Sequence, residues 1–304
     1  MQRPKLIAIS GPTAVGKTSF AVALAKRLSC PILSSDARQF YKEMCIGTAV
    51  PTPEEQQGIP HYFIQHISIN IPYTAGDFEK AAIVLLNDLF KKYNEVILVG
   101  GSNLYTDAVL NGLGDFPDVS NQIKQHWQHI FDSKGIAFLQ AELKRLDPRY
   151  YAIVDLQNHV RLLRALCVCS VSGKPYSSFL EQPKKERAFE AVTIELTMPR
   201  DQLYHRINQR VDDMVANGLV EEVRSLLPSK DLNALQTVGY RELFPYFEGE
   251  QKVEECIENI KMNTRRFAKR QLTWLRNHPC MHQISHNTKV DDALIELLTI
   301  KKKV

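Results

Sequence analysis

The opening of the chain alternates between two hydrophobic patterns. Lys5–Ser10 is a short, continuous, β-rich apolar run; a glycine turn follows, and then Lys17–Leu28, in which Phe20, Val22, Leu24 and Leu28 recur at helical spacing. The expected order is strand, loop, helix. Cys30–Ser35 reads as a second short strand ending at Asp36, Asp77–Lys92 as an amphipathic helix, and Glu95–Gly101 (EVILVGG) as a third strand. Alternation of this kind predicts a parallel sheet covered by helices.

From about Leu113 to Ala188 the pattern changes to helical, polar segments, Gln122–Phe131, Ala137–Leu146 and Val160–Ser170, with no convincing strand among them. Strand character returns at Ala191–Leu196, and long helical stretches follow at Leu203–Leu227 and Val253–Asn277. The expected fold class is therefore α/β, with a core built from 1–112 and 189–304 and an inserted helical domain at 113–188. No internal repeat is visible.

Size agrees with this division, since 304 residues suffice for one α/β domain carrying a smaller insertion. Composition is ordinary, at 44% hydrophobic and 24% charged, with no biased tract beyond the closing Lys301-Lys302-Lys303. A net charge of +4 is too small to announce a nucleic-acid binder, so any polyanion site must come from local clustering. The apolar run Leu6–Ile9 is too short for a signal peptide, and no stretch approaches the roughly 20 apolar residues of a spanning helix. The six cysteines lack paired metal-ligand spacing and read as buried, reduced thiols. A cytoplasmic monomer without membrane attachment is expected.

The chemistry begins at Gly11, Pro12, Thr13, Ala14, Val15, Gly16, Lys17 and Thr18, which spell GPTAVGKT and fit the phosphate-loop pattern G-x-x-x-x-G-K-[ST]. The motif lies where its mechanism requires, after a strand and at the start of a helix. Glycines let backbone N–H groups close on a phosphate, the helix N-terminus adds partial positive charge, Lys17 adds a point charge, and the Thr18 hydroxyl can ligate Mg²⁺. The core is thus expected to be P-loop NTPase-like. A phosphate loop alone does not choose between kinase, NTPase and transferase. An NTPase would carry an apolar strand ending in an acidic metal ligand, whereas EVILVGG ends in two glycines and Ser102.

Asp36, at the carboxyl end of the second strand, is expected to face the same crevice as the loop and to be able to take a proton there. A helix N-cap is the plainer alternative. The segment Lys261–Arg276 holds six basic residues and no acidic one, with Lys261, Arg265 and Lys269 on one helical face and Arg266 and Arg270 beside them. That face reads either as solvated surface or as an RNA phosphate track. Arg206 and Arg210 fall one helical turn apart, within reach of a bound pyrophosphate.

Together these strings resemble the tRNA dimethylallyltransferase family, also called tRNA isopentenyltransferases, of bacterial type. The resemblance rests on GPTAVGKT (11–18), SSDARQFYKEMCIGTAVP (34–51), PHYFI (60–64), VGGSNLY (99–105), RLLRAL (161–166), RDQLYHRINQRVDDMVANGLVEEV (200–223), VGYRE (238–242) and TRRFAKRQLTWLR (264–276), in the family's order across nearly the whole chain.

The resemblance implies transfer of a dimethylallyl group from dimethylallyl pyrophosphate to the amino group of the adenosine immediately 3′ of the anticodon, with Mg²⁺ as cofactor. It implies Asp36 as general base, Lys17 and Arg210 as groups assisting the pyrophosphate, and the helical insertion as a grip on the tRNA anticodon arm. It further implies tRNA contact by Asp36, Ala37, Arg38 and Gln39, by Ser102, by Val160, Arg161, Leu162, Leu163 and Arg164, and by Thr264, Arg265, Arg266, Phe267, Ala268, Lys269, Arg270 and Gln271. Three positions depart from the common pattern: Ser102 replaces Thr, Asn103 replaces Gly, and Cys167 replaces Glu. The bacterial type is expected to lack the C-terminal zinc-finger extension of eukaryotic members, and none is present in these 304 residues. A P-loop kinase of a nucleoside or other small molecule would explain the loop but not the basic helix. A non-catalytic RNA-binding protein would explain the helix but not the loop.

Overall fold

The computed structural model describes residues 3–299, with side chains through Leu294; the terminal lysine run lies outside the described residues. The described residues form six parallel strands in the order β3-β2-β4-β1-β5-β6. These are β1 (Lys5–Ser10), β2 (Ile32–Ser34), β3 (His61–Tyr62), β4 (Glu95–Val99), β5 (Glu190–Thr197) and β6 (His282–Ser285). The central strand β1 is buried on both faces, which is why its sequence is a continuous apolar run instead of an alternation. Its Ile7 and Ile9 enter one core with Phe20, Leu24, Leu203 and Ile207, while Leu6 and Ala8 enter a second with Phe78, Leu86 and Val109.

Helices α1 (Lys17–Leu28), α2 (Pro53–Gln56), α3 (Ala75–Leu89) and α4 (Asn103–Asn111) lie between the first strands. The start of α3 is fixed by a capping box in which Thr74 and Asp77 satisfy each other's backbone amides, two residues before the helix read from sequence. Strand β4 stops at Val99, and Gly100 and Gly101 form the turn into α4.

Contacts divide the chain into two compact units: one runs up to Leu110 and resumes at Arg187, and the other is Asn111–Glu186. The second unit is helical, with α5 (Asn121–Leu146), α6 (Pro148–Ile153), α7 (His159–Ser172) and α8 (Ser177–Leu180) around a core that includes Trp127, Leu139, Leu143, Leu162 and Leu166. The two segments expected at its start join into α5, interrupted at Gly135, where φ is 72° and ψ is −178°.

After β5 the expected single helix Leu203–Leu227 is instead two, α9 (Arg200–Ala216) and α10 (Leu219–Leu226), separated by Gly218 at φ 98°. The short α11 (Phe244–Phe247) precedes the long α12 (Val253–Asn277), and α13 (Val290–Thr299) follows β6. A third core of Met44, Leu219, Val223, Leu235, Tyr240, Leu243 and Ile260 contains no strand and ties the segment after β2 to these C-terminal helices.

Candidate active site

The phosphate loop joins the carboxyl end of β1 to α1. Gly11 sits at φ 149°, and a Cβ there would lie 2.8 Å from the Leu196 carbonyl oxygen of the neighbouring strand, so only glycine fits. Gly16, at φ 103°, is the residue before α1, and no side chain caps the helix. The first amides of α1 are therefore open to an anion. Lys17 Nζ donates to the Gly11 and Pro12 carbonyls at 3.0 and 2.8 Å, folding its ammonium over the loop. Burial lowers the Lys17 pKa to about 8, with Asp36 acting to raise it and Arg210 to lower it.

Asp36 begins a tight turn at the end of β2. Its Oδ1 accepts from the Arg38 N–H at 3.0 Å and its carbonyl accepts from the Gln39 N–H at 3.1 Å, so it organises a turn and not a helix N-cap. The turn after β4 packs directly beneath it. A Cβ on Gly100 would meet Ser35 Oγ at 2.3 Å and the Asp36 amide nitrogen at 2.8 Å; one on Gly101 would meet Gln271 Nε2 at 2.9 Å and Asp36 Oδ2 at 3.4 Å. The glycine pair that ends EVILVGG is thus what admits the carboxylate of Asp36 to this position. Ser102 Oγ accepts from the Ala37 N–H at 2.9 Å, so this hydroxyl is spent on holding the turn.

Loop and turn open into one cavity of about 1030 Å³. Lys17, Thr18, Asp36, Arg206 and Arg210 line it together with the segment from Cys45 to Thr52, and Phe267 and Gln271 of α12 close one side. Arg210 is half-buried, and loss of solvent around its guanidinium lowers its pKa, while the carboxylates of Asp36 and Glu55 act to raise it and Arg206 lowers it further. Apolar wall is supplied by Ile46, Ala49, Val50 and Met214. The cavity thus places cations that suit a pyrophosphate beside a carboxylate and a patch suited to a small hydrocarbon.

Several residues expected at an RNA surface have structural partners instead. Gln271 is 3% exposed; it accepts from the Thr13 N–H and donates to the Gly101 carbonyl, each at 2.8 Å. Ala268 and Leu162 are fully buried, so they pack cores and present no surface. The Arg38 guanidinium donates to the carbonyls of Asn233 and Ala234, and the Gln39 amide to those of Thr48 and Ala49. Arg265 donates to Asn208 Oδ1. Lys261 is paired with Asp212 at 2.7 Å and Glu258 at 2.9 Å, so its charge is compensated by carboxylates outside the basic segment. Arg266, Lys269 and Arg270 are exposed, as are Val160, Arg161 and Arg164 in the helical unit.

The segment from Cys45 to Thr52, which walls the cavity, carries no chemical signature in the sequence because its residues are mostly small or apolar. No cluster of three or more His, Cys, Asp or Glu that would cage a metal occurs among the described residues. Thr18, which lines the cavity directly after Lys17, is a single hydroxyl beside a phosphate site, the kind of donor compatible with an ion that keeps most of its water.

A parallel sheet with a glycine-rich loop at the end of its central strand, facing a carboxylate across a cation-lined crevice, defines a phosphate-loop α/β protein adapted to a phosphorylated substrate. The chain belongs to the IPP transferase family, whose model matches residues 39–278. It is 53% identical over 274 residues to a tRNA dimethylallyltransferase of Christiangramia forsetii, covering 90% of this chain and 91% of that protein. It is 50% identical over 305 residues to one of Flavobacterium psychrophilum, covering 98% and 99%. The crystal structure of a full-length tRNA isopentenylpyrophosphate transferase from Bacillus halodurans superposes with a TM-score of 0.71 at 36% identity, over 98% of this chain and 96% of that one.

Proposed function

We propose that this protein transfers the dimethylallyl group of dimethylallyl pyrophosphate to the exocyclic amino group of the adenosine immediately 3′ of the anticodon in tRNA. The observation that carries the reading is the shared cavity of Lys17, Arg210 and Asp36, which joins a pyrophosphate site to a proton acceptor. An adenine amino group is a weak nucleophile because its lone pair is delocalised into the ring. Asp36 takes its proton as the new C–N bond forms, a contribution of about 10²–10⁴-fold for a well-placed base. The allylic C–O bond breaks with its electron pair going to pyrophosphate. Lys17, Arg210 and the amides at the start of α1 meet the charge that grows there, which is electrostatic stabilisation by groups already in place.

Thr18 would hold Mg²⁺ in company with the pyrophosphate oxygens, and the ion would add charge neutralisation to the leaving group. The target base must leave its stack, at a cost of a few kcal/mol that RNA contacts offset. Arg266, Lys269 and Arg270 on α12, and Val160, Arg161 and Arg164 in the helical unit, are assigned to those contacts on their exposure. One chain carries both loop and base, which supports a monomer acting on tRNA; no helix of the described residues is long and apolar enough to cross a membrane.

Incubation with unmodified tRNA and either dimethylallyl pyrophosphate or ATP tests the reading. The expected result is a tRNA heavier by one five-carbon prenyl unit with the first donor only. Consumption of ATP without change in the tRNA would identify a kinase, and tRNA binding without either reaction a passive RNA-binding protein.

A further inference from the structure

The carboxylate of Glu222, in the first turn of α10, lies outside the cavity and is held by a set of donors that the chemistry above does not use. It accepts from three successive backbone amides, Cys45, Ile46 and Gly47, at 3.0, 2.8 and 3.0 Å. It also accepts from the Tyr240 hydroxyl at 2.6 Å. Consecutive N–H groups converging on one anion make a backbone nest, and a carboxylate in a nest fixes the loop that forms it. Tyr240 is fully buried, and its ring closes the nest from behind: a Cβ on Gly47 would lie 2.5 Å from a ring carbon. The loop has no room to shift toward it.

The same loop reaches the proton acceptor through an unbroken run of hydrogen bonds. The Thr48 and Ala49 carbonyls, directly after the nest, accept from Gln39 Nε2 at 3.2 and 2.9 Å. Gln39 Oε1 accepts from Ser34 Oγ at 3.2 Å, and Ser34 Oγ accepts from the Asp36 N–H at 3.2 Å. Glu222 is therefore connected to the base turn by the Cys45–Ala49 segment, which also walls the cavity.

We infer that Glu222 is a positioning residue of the transfer reaction: its carboxylate, locked in the Cys45–Gly47 nest, sets the place of Asp36 and of the cavity wall without touching either substrate. The inference rests on the proposed function. Loss of the anion removes one of the two acceptor oxygens and sets an NH₂ donor against the amides it held, which lets the wall and the Asp36 turn drift. Displacement of a reacting group by about 1 Å costs on the order of 10²-fold in rate.

The test compares wild type, Glu222→Gln, Gln39→Leu and their double variant, with kcat for prenyl transfer and the Kd for tRNA measured on the full chain. Glu222→Gln is expected to lower kcat by about 10-fold or more while Kd stays within about threefold. The double variant is expected to be little slower than the slower single, because both act through one loop. Three results would overturn the inference: a Glu222→Gln kcat within about twofold of wild type, equal losses in kcat and tRNA affinity, or single losses that multiply in the double. If Glu222→Gln does not fold, Tyr240→Phe decides: it removes one donor to the carboxylate and should lower kcat by several-fold at unchanged Kd, and an unchanged kcat would count against the inference. A wild type that does not prenylate tRNA overturns the proposed function and this inference together, whereas an active wild type with an unaffected Glu222→Gln overturns this inference alone.

Discussion

The side chain of Gln271 and the backbone of Thr13, at opposite ends of the chain, are joined by a 2.8 Å hydrogen bond in which the loop amide donates to the glutamine oxygen. The Gln271 side-chain nitrogen donates to the Gly101 carbonyl at 2.8 Å. One side chain thus clamps the phosphate loop to the turn beneath Asp36. Gln271→Leu keeps approximate size but strands both partners, and should destabilise the fold by roughly 1–3 kcal/mol. Denaturant unfolding checks the stability, and prenyl-transfer rates should fall with tRNA affinity nearly unchanged. A variant of normal stability that binds tRNA weakly would instead return Gln271 to the RNA surface.

Asp36→Asn preserves the oxygen that accepts from the Arg38 N–H, so the turn should survive while the proton acceptor is lost. Turnover is expected to drop by about 10²-fold or more, with both substrates still bound. Single-turnover prenylation at saturating tRNA and donor makes the comparison; near-normal chemistry in the variant would remove Asp36 as the base.

Lys17 gives a pH signature. Its pKa is lowered to about 8 by burial, and a bound anion raises it again, so binding of pyrophosphate is accompanied by proton uptake once the free protein has begun to lose that proton. The contribution of Lys17 to pyrophosphate affinity should accordingly be constant below about pH 8 and weaken above it. Lys17→Met should bind weakly at every pH and lack that inflection, with tRNA affinity retained. The linkage to stability has the opposite slope. Between pH 8 and the ordinary lysine value of 10.5 the unfolded chain holds the proton and the folded one does not, so Lys17 makes the free protein more stable as pH rises through that window. Calorimetry with pyrophosphate, and melting of the free protein across that range, measure both.

On the basic helix the structure separates charges that the sequence left alike. Lys269 and Arg270 are exposed, while Lys261 is neutralised by Asp212 and Glu258. Replacing Lys269 or Arg270 by alanine should flatten the salt dependence of tRNA binding by about one charge each. Lys261→Gln should leave the slope as it is. Equal slopes for all three variants would make α12 an ordinary solvated face.

The parts of the site that were legible in the sequence were those encoded locally. GPTAVGKT carries its geometry in its own glycines, and Asp36 stood out because a strand of apolar residues ends immediately before it. What escaped was encoded at a distance. Nothing near Gln271 says that its amide will meet Thr13 and Gly101, and the resemblance that sets Ala268 among the RNA-contacting residues with Arg265 and Lys269 does not reveal which face of the helix is buried. Strands β3 and β6, of two and four residues, are too short for periodicity to register. Gly218 breaks the helix between α9 and α10 although apolar residues continue on both sides, because its positive φ of 98° is a backbone property that hydrophobic pattern cannot express.

The position of β1 between β4 and β5 has a consequence for biosynthesis. Lys5 pairs with Glu95 on one side and with Glu190 on the other, so one edge of the central strand finds its partner only after the whole of Asn111–Glu186 has left the ribosome. Loop closure over that span is thermodynamically mild, since each doubling of length adds only about 0.6 kcal/mol. The delay is kinetic: an apolar edge waits unpaired during translation, the condition under which nascent chains associate with one another. The intervening helical unit, with its own core and mostly local contacts, can fold while β1 waits, and its early folding would draw the two halves of the sheet together before the missing strand arrives.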